Sequence, residues 1–410
     1  MLPLTGYRVV DFGTALVGGL SPRLLADLGA EVIKIESRVS LDGFRRGRPT
    51  IGSEPIRADE SMWPELQGIF HGANRGKRSV ALNMNKAEGL ELVRRLIALS
   101  DVVMNNYSPG VLRRRGLDYE SLIAVKADII VVSMPGMGDT GPLRDYLSYA
   151  PTAGALSGMA GLMGYDRDRL IGALPLAWGD VVNALSGGMA AITALYHRER
   201  TGEGQYIESS QLEASAALMG LPYLDYVMNR RMVEPHGNFH PLMAPHNIYP
   251  ARDGRWIAIA VRTPDEWASL CHVADHEEWL DDQRFLDHRG RLANLEALDR
   301  LVAAWTREQG SEALVGRLQA AGVAATPLLN SVDRTVDDYS IQRETLVPTT
   351  HPLLGDMLLP GFVFRPMDED PVAAVDPAPL LGEDNDYVLG ELLGIPEAER
   401  RRMVNDEVIY

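Results

Sequence analysis

Along the first third of the chain, apolar residues fall into short runs of strand length separated by stretches of helical spacing. Residues 7–12, 31–35, 79–82, 101–104 and 128–133 each read as a strand. Between them, 22–28 has helical spacing and Gly29 follows as a stop. Asn85 with Glu88 three residues on reads as an N-terminal cap. The helix after it places Leu90, Val93, Leu96 and Ile97 on one face. A short helix is expected over 119–125. Strands alternating with helices predict a largely parallel, doubly wound α/β sheet.

A long helix rich in Gly and Ala follows Asp180, which predicts close packing against a neighbour, and Gly202 and Gly204 end it. Residues 205–218 read as a strand passing into a helix. From about Met228 the chain becomes rich in Pro, His and Asn, as in a long loop. A strand at 256–261, helices around 264–273, 292–308 and 311–321, and an extended stretch at 323–329 then define a smaller α/β domain. The expected division is 1–224 for a Rossmann-like large domain, 225–325 for the small one and 326–410 for a return segment that completes the first. The last 80 residues read as irregular, with one short helix around 387–393.

Composition narrows the function. The chain has 410 residues, 46% hydrophobic, with a formal net charge of −16. Such acidity disfavours nucleic acid and anionic membranes as partners. No apolar run is long enough to span a bilayer, and the opening MLPLTGYRVVDFG does not read as a signal peptide. A single cysteine, Cys271, excludes an internal disulfide framework and fits a reducing cytoplasm. It reads as a small core hydrophobe.

The run Gly136–Gly141 matches G-x-G-x-x-G after a strand. Pro142 follows at once, so no helix opens to receive a pyrophosphate, and the match does not point to a dinucleotide. His236, His240 and His246 share a loop without the spacing of a zinc site, and no metal is expected. Arg38, Arg45, Arg46 and Arg48, then Arg75, Lys77 and Arg78, then Arg113, Arg114 and Arg115 follow strands or begin helices. In a parallel sheet such positions border the ligand crevice and suit phosphates. Asp180 precedes the long helix. Capping alone accounts for an aspartate there. The same helix end would also keep a carboxylate charged and available as a nucleophile toward an activated acyl group.

The arrangement resembles the class III coenzyme A transferases (CaiB/BaiF type), the family of formyl-CoA transferase and carnitine CoA-transferase. The resemblance rests on seven segments in order: 4–13 (LTGYRVVDFG), 24–37 (LLADLGAEVIKIES), 74–84 (NRGKRSVALNM), 105–122 (NNYSPGVLRRRGLDYESL), 133–142 (SMPGMGDTGP), 179–214 (beginning GDVVNALSGG) and 380–394 (LLGEDNDYVLGELLG). It implies an interlocked homodimer with coenzyme A as substrate and no permanently bound cofactor. An acyl-CoA and a carboxylic acid are the implied partners. Asp180 matches the family's nucleophile, which forms a mixed anhydride and then an aspartyl-CoA thioester.

The same resemblance assigns coenzyme A contacts to Ala15, Leu16, Val17, Arg38, Lys77, Asn106, Tyr107 and Arg114. Family members often carry Gln where Leu16 stands, so a different acyl pocket is implied. His236, Gly237 and Asn238 match the family's glycine-rich loop, and with Tyr149 they are candidate pocket residues. Related 2-methylacyl-CoA racemases use a His–Asp pair. Here Tyr149 falls in the stretch that carries the histidine, and its ordinary pKa near ~10 suits a base poorly. A racemase and a non-catalytic subunit of a heteromeric transferase are the alternatives.

Overall fold

The computed structural model describes residues 2–172, 177–363 and 375–410. The chain forms two compact units. One comprises Met1–Leu162, Ile171–Val233 and Arg343–Tyr410, the other Met163–Leu170 and Glu234–Gln342. The second unit therefore runs from 234 to 342, not from 225 to 325, and includes a short earlier segment. Helix Gly220–Asn229 stays with the first unit. The second unit retains the segment after 325, where Arg255 pairs with Asp333 at 3.3 Å.

In the first unit, strands β1 (Arg8–Asp11), β2 (Glu31–Glu36), β3 (Arg78–Ala81), β4 (Val102–Asn105), β5 (Ile130–Ser133) and β6 (Tyr206–Glu208) form one parallel sheet in the order β3-β2-β1-β4-β5-β6. This is the Rossmann order, whose direction reverses between β1 and β4. Both faces are buried, because successive strand residues point to opposite sides. Val10, Ile33, Val80, Val103 and Val131 face Leu92, Leu96 and the chain's C-terminal end. Val9, Val32, Val102, Ile130 and Val132 face Leu25, Ala191 and Leu195.

The small-residue helix is Trp178–Thr201, and it packs closely as expected. A Cβ on Gly187 would sit 2.2 Å from Met134 Sδ and 2.9 Å from Ser21 Oγ. Only glycine lets this helix meet the Ala15–Asp27 helix and the sheet at that depth.

Three local expectations change. The first helix spans Ala15–Asp27 with Pro22 inside it, not only 22–28. Asn85 is not a cap: helix Ala87–Ala98 starts after Lys86, and Asn83 Oδ1 accepts from the Asn85 N–H at 3.1 Å. The described residues of the last segment are not irregular throughout. They carry an antiparallel hairpin of β10 (Leu346–His351) and β11 (Gly355–Pro360), then a helix Glu397–Asn405.

The second unit has an antiparallel sheet of β7 (His246–Pro250), β8 (Trp256–Ala260) and β9 (Ala324–Pro327). Its helices pack Trp267, Leu270, Leu298, Val302 and Trp305 onto Tyr249, Ile257 and Ile259. Cys271 lies in this core, and burial pushes its thiol up to about 12. No helix among the described residues is long and apolar enough to cross a membrane.

Candidate active site

Two regions at the carboxyl edge of the parallel sheet carry the candidate chemistry. The first is the turn after β1. Every polar backbone group from Gly13 to the amide of Ala15 has a side-chain partner. The Gly13 N–H donates to Asp11 Oδ1 at 2.6 Å, and Lys34 Nζ donates to the Gly13 carbonyl at 2.5 Å. Asn106 accepts from the Thr14 N–H at 2.8 Å and donates to the Thr14 carbonyl at 2.9 Å. The Ala15 N–H donates to Asp42 Oδ1 at 3.0 Å. These bonds hold Ala15 at φ 54, a left-handed conformation that a non-glycine residue keeps only when its surroundings fix it.

Buried ion pairs anchor that turn. Lys34 pairs with Asp42 at 3.0 Å, and Lys77 with Asp11 at 2.7 Å. Lys77 also donates to Asn74 Oδ1 at 2.9 Å. The carboxylates around Lys34 hold its ammonium above the usual range against the opposing effect of burial. Burial pulls the Lys77 ammonium down to about 8.

Much of the expected phosphate patch is consumed in this way. Arg45 is buried between Glu36 and Glu65, and Arg75 is buried against Asp27. Arg113 pairs with Asp118 and Glu120 at the surface. Arg38 and Arg114 are exposed. A cleft of about 210 Å³ lies here, lined by Thr14, Ser37, Asn85, Tyr107 and Arg115. Tyr107 also lines a second cleft of about 330 Å³ with Tyr119, Arg144 and Tyr206. Leu16 is half-buried and Val17 is buried.

The second region lies beyond β5 and β6. Asp180 is the third residue of its helix; Ala177 flanks the helix start, so Asp180 is not the cap. The carboxylate is half-buried and, among the described residues, accepts one hydrogen bond, from Gln211 Nε2. Among the described residues it has no cationic partner. Burial raises its pKa from 3.8 to about 6, opposed by the Gln211 bond. Desolvation favours the neutral form, but with a pKa of about 6 the group is still mostly ionised at neutral pH.

Gln211 opens the helix Gln211–Ala217, which Ser210 caps. Its backbone N–H donates to the Pro135 carbonyl at 3.1 Å, and that of Leu212 to Gly136 at 3.0 Å. Glycine at 179 permits the approach: a Cβ there would lie 2.7 Å from Ser215 Oγ. Local sequence pattern gave no signal for Gln211, because its contact with Asp180 crosses 31 residues.

Tyr149 flanks helix Ala150–Leu156 and is 82% exposed. His236, Gly237 and Asn238 belong to the second unit, where they are well anchored. The Gly237 N–H donates to Gly164 at 2.8 Å, and Asn238 Nδ2 donates to Asn247 Oδ1 at 2.9 Å. His236 packs edge-on against Phe239. Among the described residues, no group of three or more His, Cys, Asp or Glu could hold a metal ion. No helix opens within Gly136–Gly141.

A Rossmann-ordered sheet with a fixed turn at its switch point and a half-buried carboxylate near a helix start defines a doubly wound α/β protein with a ligand crevice at the carboxyl edge of the sheet. The chain belongs to CoA-transferase family III, whose model matches residues 4–385. It is 30% identical to the succinyl-CoA–D-citramalate CoA-transferase of Chloroflexus aurantiacus, over 99% of this chain and 98% of that one. It is 30% identical to the succinate–glutarate CoA-transferase of Agrobacterium fabrum, over 95% and 96%. A CaiB/BaiF family protein from Brucella suis superposes with a TM-score of 0.85 at 31% identity, covering 95% of this chain and 99% of that one.

Proposed function

We propose that the chain moves coenzyme A from an acyl-CoA to a carboxylic acid through covalent intermediates on Asp180. The observation that carries this reading is a half-buried carboxylate held by one neutral donor, with no cation among the described residues to quench it. Desolvation raises the energy of the anion and so its readiness to attack a thioester.

The reaction balances without another reagent. One Asp180 oxygen attacks the acyl carbonyl and expels coenzyme A thiolate, leaving a mixed anhydride. The thiolate attacks the Asp180 carboxyl carbon and expels the donor acid, leaving an aspartyl-CoA thioester. The acceptor carboxylate attacks the same carbon and expels thiolate. The thiolate then takes the acceptor's acyl group, and Asp180 is regenerated.

The turn at Gly13–Val17, with Tyr107, Arg38 and Arg114 nearby in sequence or cleft, is the proposed coenzyme A platform. Asn106 and Lys77 serve it from behind, since their polar atoms are already engaged. The name of the Chloroflexus aurantiacus relative points to succinyl-CoA as donor, and the citramalate and glutarate of the two names point to a dicarboxylate as acceptor. Racemase chemistry is disfavoured, because among the described residues the side chain that hydrogen-bonds Asp180 is the neutral amide of Gln211, which is no base.

A homodimer is part of the same reading. The Trp178–Thr201 helix exposes Leu185, Met189, Ile192 and Tyr196 along one stripe, and the next helices expose Leu218, Leu221 and Leu224. An exposed apolar surface of this kind marks a protein interface.

The test is mass spectrometry of the protein after incubation with succinyl-CoA and a panel of other acyl-CoAs. A hydroxylamine-sensitive adduct on Asp180, absent from Asp180→Asn, is the expected result. Undiminished transfer by Asp180→Asn would overturn the mechanism.

A further inference from the structure

We propose that the side-chain amide of Gln211 is the oxyanion donor for the two steps that pass through the Asp180 carboxyl carbon. The inference deepens the transfer reading above and rests on it.

The geometry is specific to one oxygen. Gln211 Nε2 donates to Asp180 Oδ1, so Oδ2 is the atom left to attack the acyl group. When thiolate later attacks the Asp180 carboxyl carbon, the carbonyl pair moves onto Oδ1, where the N–H already points. The same donor serves when the acceptor carboxylate attacks the thioester. In both steps the tetrahedral centre collapses and returns the pair to the C–O bond as the leaving group departs, so Gln211 neither gains nor loses a proton. A donor fixed before charge develops lowers the barrier because nothing must reorganise.

The amide is built into place. Gln211 is 6% exposed. Its backbone is tied to the turn after β5 through Pro135. Two glycines border the amide: a Cβ on Gly179 would lie 3.5 Å from Nε2, and one on Gly136 would lie 3.8 Å from Oε1. A Cβ at either position would be in ordinary van der Waals contact with the amide, so both glycines lie directly against the group that meets Asp180. The same bond helps hold Asp180 ionised against its burial.

The experiment mixes wild type, Gln211→Met and Gln211→Glu with succinyl-CoA alone and follows release of succinate. Succinate leaves only when the Asp180 carboxyl carbon is attacked, so the burst isolates one of the two assisted steps. Gln211→Met is expected to slow the burst about 10²-fold, to leave KM for succinyl-CoA unchanged, and to move the acid limb of the rate to higher pH. Gln211→Glu keeps size and backbone contacts and covers the case in which the Met variant does not fold. Its burst is expected to be lost at high pH, to recover where the new carboxyl and Asp180 share one proton, and to fall again once Asp180 is itself protonated. A wild-type burst rate and pH profile in whichever variant folds overturns the role of Gln211 while Asp180→Asn remains inactive. Absence of any burst in wild type with every acyl-CoA offered sinks the transfer reading, and the role of Gln211 falls with it.

Discussion

Beside β1 and β2, Lys34, Asp42, Asp11 and Lys77 are buried as two ion pairs, of which Lys34, Asp42 and Asp11 also bond the turn Gly13–Ala15. Beyond β5 and β6, Asp180 is half-buried with one amide donor among the described residues. Both places take charge out of water. In the first, each charge has an opposite charge within 3.0 Å, so the cost is met and the product is a rigid turn. In the second the charge is left without a counter-ion among the described residues, and the carboxyl pKa is raised to about 6. Paired charge holds the backbone, and unpaired charge is available for reaction.

The sharpest way to break this contrast is to remove the unpaired charge. Asp180→Asn keeps the shape and removes the nucleophile, so transfer should fall by about 10⁴-fold or more, measured as product formation at saturating substrate. In wild type the rate should fall as the pH drops below about 6, because the protonated carboxyl cannot attack. A wild-type rate with no acid limb near that pH counts against Asp180 as the nucleophile.

The next largest effect is expected in the paired region. Lys34→Met leaves buried Asp42 without its cation and the Gly13 carbonyl without its donor. Breaking one side of a buried pair costs roughly 3–5 kcal/mol. Denaturant unfolding should register that loss. A variant as stable as wild type would mean that the pairs do not hold the turn.

The sequence carried the alternation of strands and helices, and with it the doubly wound sheet, because apolar runs such as 7–12 and 128–133 have strand length and buried faces. It carried the close approach of the long helix through Gly187 and Gly188. It did not distinguish a cation that faces a ligand from one buried under the sheet edge. Lys77 and Arg45 look alike in sequence, yet each is committed to an acid distant along the chain, 66 and 20 residues away for Asp11 and Glu65. Gln211 was missed for the same reason. The helix Glu397–Asn405 was missed because its face is nearly all polar, with Met403 its one buried residue.

A smaller effect separates the turn from the charges that anchor it. Asn106→Ala removes both bonds to Thr14 and leaves the ion pairs intact. The expected loss is about 1–3 kcal/mol, since Thr14 keeps access to water. If the turn is the coenzyme A platform, KM for the acyl-CoA rises more than kcat falls. Steady-state kinetics over a range of acyl-CoA concentrations tests this, and an unchanged KM separates the turn from the ligand.

The smallest expected effect reverses the usual sign of a mutation. The Asp180 carboxyl has a folded pKa of about 6 against an ordinary 3.8. Between those values the folded chain holds a proton that the unfolded chain has released, so this group favours folding at low pH. That contribution is lost as the pH rises through about 6, where the buried carboxylate must ionise. Asp180→Asn removes the penalty. At pH 8 it should therefore be more stable than wild type by ~1–2 kcal/mol, a value reduced for the partial exposure of the group. Below about pH 4 the two proteins should melt together, because both then carry a neutral side chain at 180. Thermal melts of both proteins at pH 8 and at the acid end decide the matter. Equal stability at pH 8 would mean that Asp180 is better solvated than its surroundings indicate, and the contrast with the paired region would disappear.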